Sequence, residues 1–231
     1  MPAHPQIYLR QLQLGPMANF VYLIGDPATR KAAVVDPAWD VPAILDLAQA
    51  DGFTIDKILI THYHQDHLGG RMMGRNIQGA AELLARADAK VYVNKHEAAG
   101  VKQVAALSDS DIVKVDAGDT FKVGSLEVKF LHTPGHTPGS QCFLVNGNLV
   151  SGDTLFVNSC GRVDLPGSDP EAMYQSLNQT LRNLPDATVV YPGHAYAPES
   201  QTTIGAQKRT NMYMRFNNLD DFLFAMGYSR E

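Results

Sequence analysis

The chain has 231 residues, 45 % of them hydrophobic and 19 % charged, which is the balance of a folded globular protein and excludes a disordered one. A net charge of −5 without any basic run argues against a nucleic-acid binder, and no apolar run approaches the roughly 18 residues of a membrane span. The only two cysteines, Cys142 and Cys160, form no metal-binding pair, so a disulfide framework and a zinc ribbon are not supported. Two reduced thiols are expected, with one bridge left open. The start, Met1 to Gln6, lacks a basic segment and an apolar core of a leader, and a cytoplasmic protein is expected.

In chain order, residues 6–14 and 19–25 have strand patterns joined by Gly15-Pro16, and 31–35 is a third strand ending at Asp36-Pro37. Val41, Ile44, Leu45, Leu47 and Ala48 follow helical spacing over 40–50, and Gly52 stops the run. Residues 58–61 form the next strand, 71–78 a loop, and 79–87 a helix with Leu83 and Leu84 on its apolar face. Strands are then expected at 91–94, 112–115, 120–123, 126–131, 140–145 and 149–151, with Asn146-Gly147 as a hairpin turn. A helix fits 171–184, entered through Asp169-Pro170 and left before Pro185. Residues 188–191 are the last strand, and 205–216 and 220–226 suit one or two terminal helices. Strands grouped with helices suggest two packed sheets with helices outside.

The most informative stretch runs from Thr61 to His67, where His62, His64, Asp66 and His67 put three imidazoles and a carboxylate into six residues behind an apolar strand. Imidazole nitrogen plus carboxylate oxygen, without thiolate, suits borderline divalent metals. His62 and His64 lie two apart, so on extended backbone they leave the same face. Three more apolar strands end in a candidate ligand beside glycine: His136 after Gly135, Asp153 after Gly152, and His194 after Gly193. Singly, each reads as an ordinary structural residue. Together, five His and two Asp suffice for two metals, which about 3.5–4 Å apart activate water and polarise a carbonyl or phosphoryl oxygen.

The ordered set His62-x-His64-x-Asp66-His67, His136, Asp153 and His194 resembles the metallo-β-lactamase fold superfamily across nearly the whole chain. The words Thr133–Gly139, Ser151–Phe156, Cys160-Gly161-Arg162 and Tyr191–His194 are closest to its glyoxalase II (hydroxyacylglutathione hydrolase) and persulfide dioxygenase branch. The resemblance implies a four-layer αββα sandwich with the metals at one edge of the sheets, residues 1–231 as a single domain, and about 205–231 as a short helical extension. It implies a first metal on His62, His64 and His136, a second on Asp66, His67 and His194, and Asp153 bridging. The ions would be zinc, with iron or manganese as alternatives. Arg162 and Tyr196 would contact a glutathione portion of the substrate. Three departures stand out: Asp164 replaces an aromatic residue, Ala195 an acidic one, and fewer than 40 residues follow His194, too few for the helical domain that completes a glutathione pocket.

The expected reaction is water attack on a thioester, or a related ester or lactone, with Asp66 and Asp153 as the catalytic carboxylates. A thiolate, with a pKa near 8.5, leaves without a dedicated general acid. The rival is a persulfide dioxygenase with a single Fe(II) on His62, His136 and Asp153, a two-His-one-carboxylate set. A nuclease and a non-catalytic metal-binding module rank below both. The expected partner is a small molecule, a glutathione conjugate being the candidate, with neither nucleic acid nor membrane expected and oligomeric state open. Of the other residues, His132 reads as packed or outside the ligand set, His96 as solvated at a helix start, and His4 as tail. Cys160 reads as a small loop residue in preference to a redox-sensitive thiol, Met72-Met73 as cover for a core edge in preference to part of a substrate lip, and Trp39 is either core or pocket rim.

Overall fold

Along the strand Asn19–Asp26, Phe20, Tyr22 and Ile24 point to one face, and Val21 and Leu23 to the other, as the two-residue period of extended chain requires. Both sets are buried, so this strand belongs to a sheet covered on both sides. In the computed structural model, which describes residues 6–228, that sheet has six strands. Their order is Tyr8–Leu14, Asn19–Asp26, Lys31–Val35, Thr54–Leu59, Lys90–Asn94 and Ile112–Val115. A second six-stranded sheet has the order Thr202–Thr203, Val189–Pro192, Asn148–Gly152, Gln141–Val145, Leu126–His132 and Thr120–Val123.

Three apolar layers hold these sheets. Between them, Phe20, Tyr22, Val35 and Leu59 meet Val128, Phe130, Phe143 and Val150. The first sheet's outer face, with Val21, Leu23, Ile58 and Val91, is covered by helices Val41–Ala50, Ala80–Leu84 and Ala98–Ala105. On the second sheet's outer face, Cys142, Leu149 and Val190 lie under Met173, Leu177, Ile204 and Phe222. The result is the expected αββα sandwich. Each fully buried Leu or Phe contributes roughly 1.5–3 kcal/mol over an exposed one, and these layers dominate the fold's stability.

Strand direction then places the loops. Lys31–Val35, Thr54–Leu59 and Lys90–Asn94 are parallel, and Asn19–Asp26 runs against them, so residue 19 lies at the edge where 35 and 59 end. Asn148–Gly152 and Val189–Pro192 are parallel. Leu126–His132 shares their direction, because both it and Asn148–Gly152 pair antiparallel with Gln141–Val145. Backbone bonds from Phe20 N to Gly193 O (2.8 Å) and from Gln141 N to Thr61 O (3.0 Å) tie the two edges together.

Several elements differ from expectation. The strand before the histidine cluster is Thr54–Leu59, not 58–61: the polar Asp56-Lys57 pair hides its start, and Ile60 and Thr61 already belong to the turn. Residues 71–78 are not a loop but carry a hairpin, Gly70–Met72 with Arg75–Ile77. The helix expected over 79–87 shrinks to Ala80–Leu84. Helix Ala98–Ala105 has no Leu or Ile on its buried face, only Ala98, Val101 and Ala105, so its periodicity is faint. The segment 171–184 is helical but not uniform, passing from α (Pro170–Gln175) through π (Ser176–Thr180) to 3₁₀ (Leu181–Asn183). In place of 205–216 and 220–226 stand Ile204–Thr210, a short 3₁₀ turn Met212–Met214, and Leu219–Ala225. His4 lies outside the described residues, among which no helix is long and apolar enough to cross a membrane.

Candidate metal centre

Four strand ends converge at the joined edge. After Thr54–Leu59 the chain turns at Thr61, is extended at His64 (φ −65°, ψ 144°) and then enters the short helix Gln65–Leu68. His67 N and Leu68 N both donate to His64 O at 3.0 Å, which folds Asp66 and His67 back toward His62. His136 sits in a turn closed by Thr133 N to Ser140 O (2.8 Å), Asp153 directly follows Gly152, and Gly193 N donates to Gly152 O (2.9 Å) just before His194. Gly161 crosses so close to the Asp153 carbonyl oxygen that any Cβ there would overlap it.

All seven residues expected as ligands come together. The donor atoms of His62, His64 and His136 lie within 4.8 Å of one another, and so do those of Asp66, His67 and His194. His136 Nε2 is 3.0 Å from His64 Nδ1, and His67 Nε2 is 3.1 Å from His194 Nε2. Asp153 lies between the groups: Oδ2 is 3.3 Å from His194 Nε2 and 3.6 Å from His136 Nε2, and Oδ1 is 3.4 Å from His67 Nε2. Asp36, His62 and His67 also meet the distance condition, but the Asp36 carboxylate is already committed to three donors.

Those commitments set the ring protons. Asp36 accepts from Thr61 N (2.8 Å), from the Thr61 hydroxyl (2.6 Å) and from His67 Nδ1 (2.9 Å). With its proton spent on Asp36, the Thr61 oxygen accepts from His62 Nδ1 at 2.9 Å. His136 Nδ1 donates to Arg162 O (2.8 Å) and His194 Nδ1 to Met17 O (2.9 Å). Each of these four rings therefore carries its proton on Nδ1 and leaves Nε2 as a bare lone pair, the orientation that outer partners impose on metal-binding histidines. With both rings neutral, His67 Nε2 and His194 Nε2 face each other with no proton between them, and buried His62 Nε2 and Asp153 Oδ1 have no hydrogen-bond partner. Buried polar atoms without partners are costly, and a divalent cation held by these donors would satisfy them. The residues fit a metal.

The electrostatics agree. Burial pushes the pKa of His62 well below the usual imidazole value and that of His64 down to about 4, so both are neutral ligands. Burial also opposes charge on His67, but the neighbouring Asp153 and Asp66 carboxylates, with the hydrogen bond to Asp36, prevail and raise its pKa well above normal. The same exchange holds Asp153 well below the carboxylate range despite its burial, chiefly through His67 and His194. This pocket attracts positive charge. A proton on His67 meets only part of that demand, since it leaves His62 Nε2 unserved.

A cavity of about 260 Å³ opens onto the donors and is walled by Phe156, Leu165, Met17, Arg162 and Tyr196. The Tyr196 ring stacks on His194, with centroids 4.5 Å apart and planes 7° apart. Arg162 grips Asp164 through Nε to Oδ1 (2.9 Å) and Nη2 to Oδ2 (2.8 Å). Both residues expected at the substrate stand at this wall. His132 lies outside, bonded through Nε2 to Pro138 O (3.0 Å) and stacked on the exposed His96. Cys142 and Cys160 are free thiols, and burial pushes Cys160 up to about 12, so it is not a reactive thiolate. Met73 is 94 % exposed, so it covers no core edge, and neither it nor Met72 walls the cavity.

Asp36, Thr61, Asn19 and Glu97 are the supporting residues that sequence reading passed over. Asp36 ends an apolar strand beside proline, the same design that marks Asp153 and His194, so that signal was present. Glu97 is buried and accepts from Tyr63 N (2.9 Å) and Gly139 N (2.6 Å), clamping the loops that carry His64 and His136. No local pattern announces a contact of that kind.

The Metallo-beta-lactamase superfamily model matches residues 14–194, and the chain belongs to that family. It is 33 % identical over 245 residues to a hydroxyacylglutathione hydrolase of Synechococcus sp. (strain JA-3-3Ab), covering 90 % of this chain and 89 % of that protein. It is 27 % identical over 206 residues to the probable polyketide biosynthesis zinc-dependent hydrolase BaeB of Bacillus velezensis, covering 89 % and 86 %. The crystal structure of ETHE1 from Myxococcus xanthus superposes with a TM-score of 0.82 at 31 % identity, covering 95 % of this chain and 90 % of that one. Family, donor set and relatives place the chain among the metal-dependent hydrolases of this superfamily.

Proposed function

We propose that the chain is a two-ion hydrolase of thioesters. In this reading His62, His64 and His136 would hold one ion and Asp66, His67 and His194 the other, with the Asp153 carboxylate shared between the two groups. The observation that carries it is the ring of bare nitrogen lone pairs around the Asp153 carboxylate. Zinc fits the nitrogen and oxygen donors, and BaeB carries zinc in its name; iron or manganese would suit the same set. Two divalent ions held there would supply an activated water at neutral pH and a polarised acyl oxygen.

The protein's own groups do the rest. Asp153, held ionised by His67 and His194, keeps the two groups in register, and Asp66 orients the water. Tyr196, whose pKa burial raises to about 12, keeps its proton and offers a hydroxyl to a polar part of the substrate. Phe156, Leu165 and Met17 give the acyl group an apolar wall, and at about 260 Å³ the cavity takes the reacting portion while a larger thiol carrier extends into solvent. A thiolate leaves unaided near its pKa of about 8.5, so the scarcity of further acids at the wall favours thioesters over amides. The hydroxyacylglutathione hydrolase relative makes a glutathione thioester the first substrate to try. The two free thiols accord with a cytoplasmic setting.

One further reading has specific support. His62, His136 and Asp153 by themselves make a two-His-one-carboxylate set suited to Fe(II) and O₂, and the ETHE1 structure matches nearly the whole chain. That reading is a single-iron persulfide dioxygenase. Metal content per chain, measured beside a panel of a glutathione thioester, a lactone and glutathione persulfide with an oxygen electrode, decides between them. Thiol release from the thioester without oxygen uptake supports hydrolysis. One iron per chain with oxygen consumed only alongside persulfide would overturn it.

A further inference from the structure

The chain has a single tryptophan, Trp39, and its backbone is strained: φ is +82°, a region bulky residues rarely enter. Its backbone N–H donates to Gln78 O (2.9 Å), and its ring lies so close to Gly15 that a Cβ on that glycine would overlap it. The indole Nε1–H donates to Asn19 Oδ1 at 2.9 Å. Asn19 is 2 % exposed, and its Nδ2 donates to Asp66 Oδ2 at 2.9 Å and sits 3.4 Å from His67 Nε2. The orientation of an amide is ambiguous until its partners fix it. Here they do, because an indole nitrogen only donates and a carboxylate only accepts. Trp39 forces the Asn19 oxygen toward itself and the Asn19 NH₂ toward Asp66. Turned over, the amide oxygen would face the carboxylate.

We propose that Trp39 and Asn19 are positioning residues for the second ion group: the indole N–H locks the Asn19 amide, and the amide holds Asp66 in the geometry that receives a cation. The inference rests on the two-ion reading. Strained backbone is retained where surrounding structure determines it, and here the strain aims the indole N–H at Asn19. The backbone of Asn19 adds to this, since it pairs with His194, another member of the same group.

The test strips metal from the full chain and titrates it with Zn²⁺ alone. With one tryptophan, the indole N–H gives one resonance in a nitrogen-correlated proton spectrum, and no assignment is needed. In the wild-type chain that resonance should move with the second equivalent of zinc and stay still during the first. Trp39→Phe keeps an aromatic ring while removing the donor and the indole's second ring; it should weaken the second equivalent 10–100-fold, the usual effect of losing an outer partner, and leave the first within threefold. Asn19→Ala should do the same, and gives a second route should Trp39→Phe fold poorly. The proposal is overturned if the indole resonance follows the first equivalent or neither, or if the variants bind both equivalents as the wild type does or weaken both alike. A wild-type chain that takes one ion overturns the two-ion reading as well, and the wild-type titration alone separates that failure from the others.

Discussion

Replacing Asp36 by asparagine keeps the shape of a buried side chain and removes its charge. The carboxylate receives three hydrogen bonds, from Thr61 N at 2.8 Å, the Thr61 hydroxyl at 2.6 Å and His67 Nδ1 at 2.9 Å. An amide has one accepting oxygen, so if it stays on Thr61 N, the hydroxyl and His67 meet an NH₂ group. His67 must then leave its Nδ1 proton unpaired or shift it to Nε2, the nitrogen that faces His194 and Asp66. A buried donor left without a partner costs roughly 1–3 kcal/mol. Loss of a ligand's outer partner weakens metal binding about 10–100-fold, or about 1.4–2.8 kcal/mol, within the same range. Asp36→Asn should lower affinity at the Asp66–His67–His194 group by that factor. The His62 group should fall less, because Asp36 reaches His62 only through the Thr61 hydroxyl. Competition against a chelator gives the affinities, and ring-nitrogen shifts show where the His67 proton sits. Unchanged affinities with the proton still on Nδ1 would refute the argument that Asp36 sets the tautomer.

Other changes test the frame around the centre. Glu97→Ala leaves Tyr63 N and Gly139 N without their acceptor and should destabilise the chain by roughly 2–4 kcal/mol in a urea titration; a loss under about 1 kcal/mol would mean water replaces the carboxylate. Gly161→Ala places a methyl on the Asp153 carbonyl oxygen, and strain of roughly 1–3 kcal/mol should displace Asp153 and reduce metal content per chain, whereas full content would show that the loop yields freely. Asp26 has its pKa lowered to about 2, chiefly by the backbone hydrogen bond from Ser125. A depressed carboxylate stabilises the fold above its unfolded pKa near 3.9 and loses that contribution as pH falls through about 2. Wild type should therefore exceed Asp26→Asn by about 2 kcal/mol at pH 6, with the gap closing between pH 4 and 2 in denaturant titrations; a constant gap would contradict this.

Much of the centre was legible because the histidine cluster follows one apolar strand and His136, Asp153 and His194 each follow another beside glycine, and strand direction alone brings such ends to one edge. The sandwich was legible for a related reason: doubly buried strands such as Asn19–Asp26 imply cover on both faces. What stayed hidden depends on contacts distant in sequence. Glu97 meets Gly139 across 42 residues, and Asn19 meets Asp66 across 47, with no local pattern to announce either. Helix Ala98–Ala105 escaped notice because Gly100 must pack against the Tyr63 ring, which leaves small residues where an apolar stripe would show. The hairpin Gly70–Ile77 was hidden by polar residues, which its exposed position permits. Asp36 was readable and was passed over, since Asp-Pro after a strand also marks an ordinary turn.

Anomalous diffraction from crystals of the full chain grown with zinc tests the central claim most directly. Two peaks are predicted, one among His62 Nε2, His64 Nδ1 and His136 Nε2, the other among Asp66, His67 Nε2 and His194 Nε2, with the Asp153 carboxylate touching both. A map without zinc at these side chains, or rings turned so that their bare nitrogens diverge, would contradict the account.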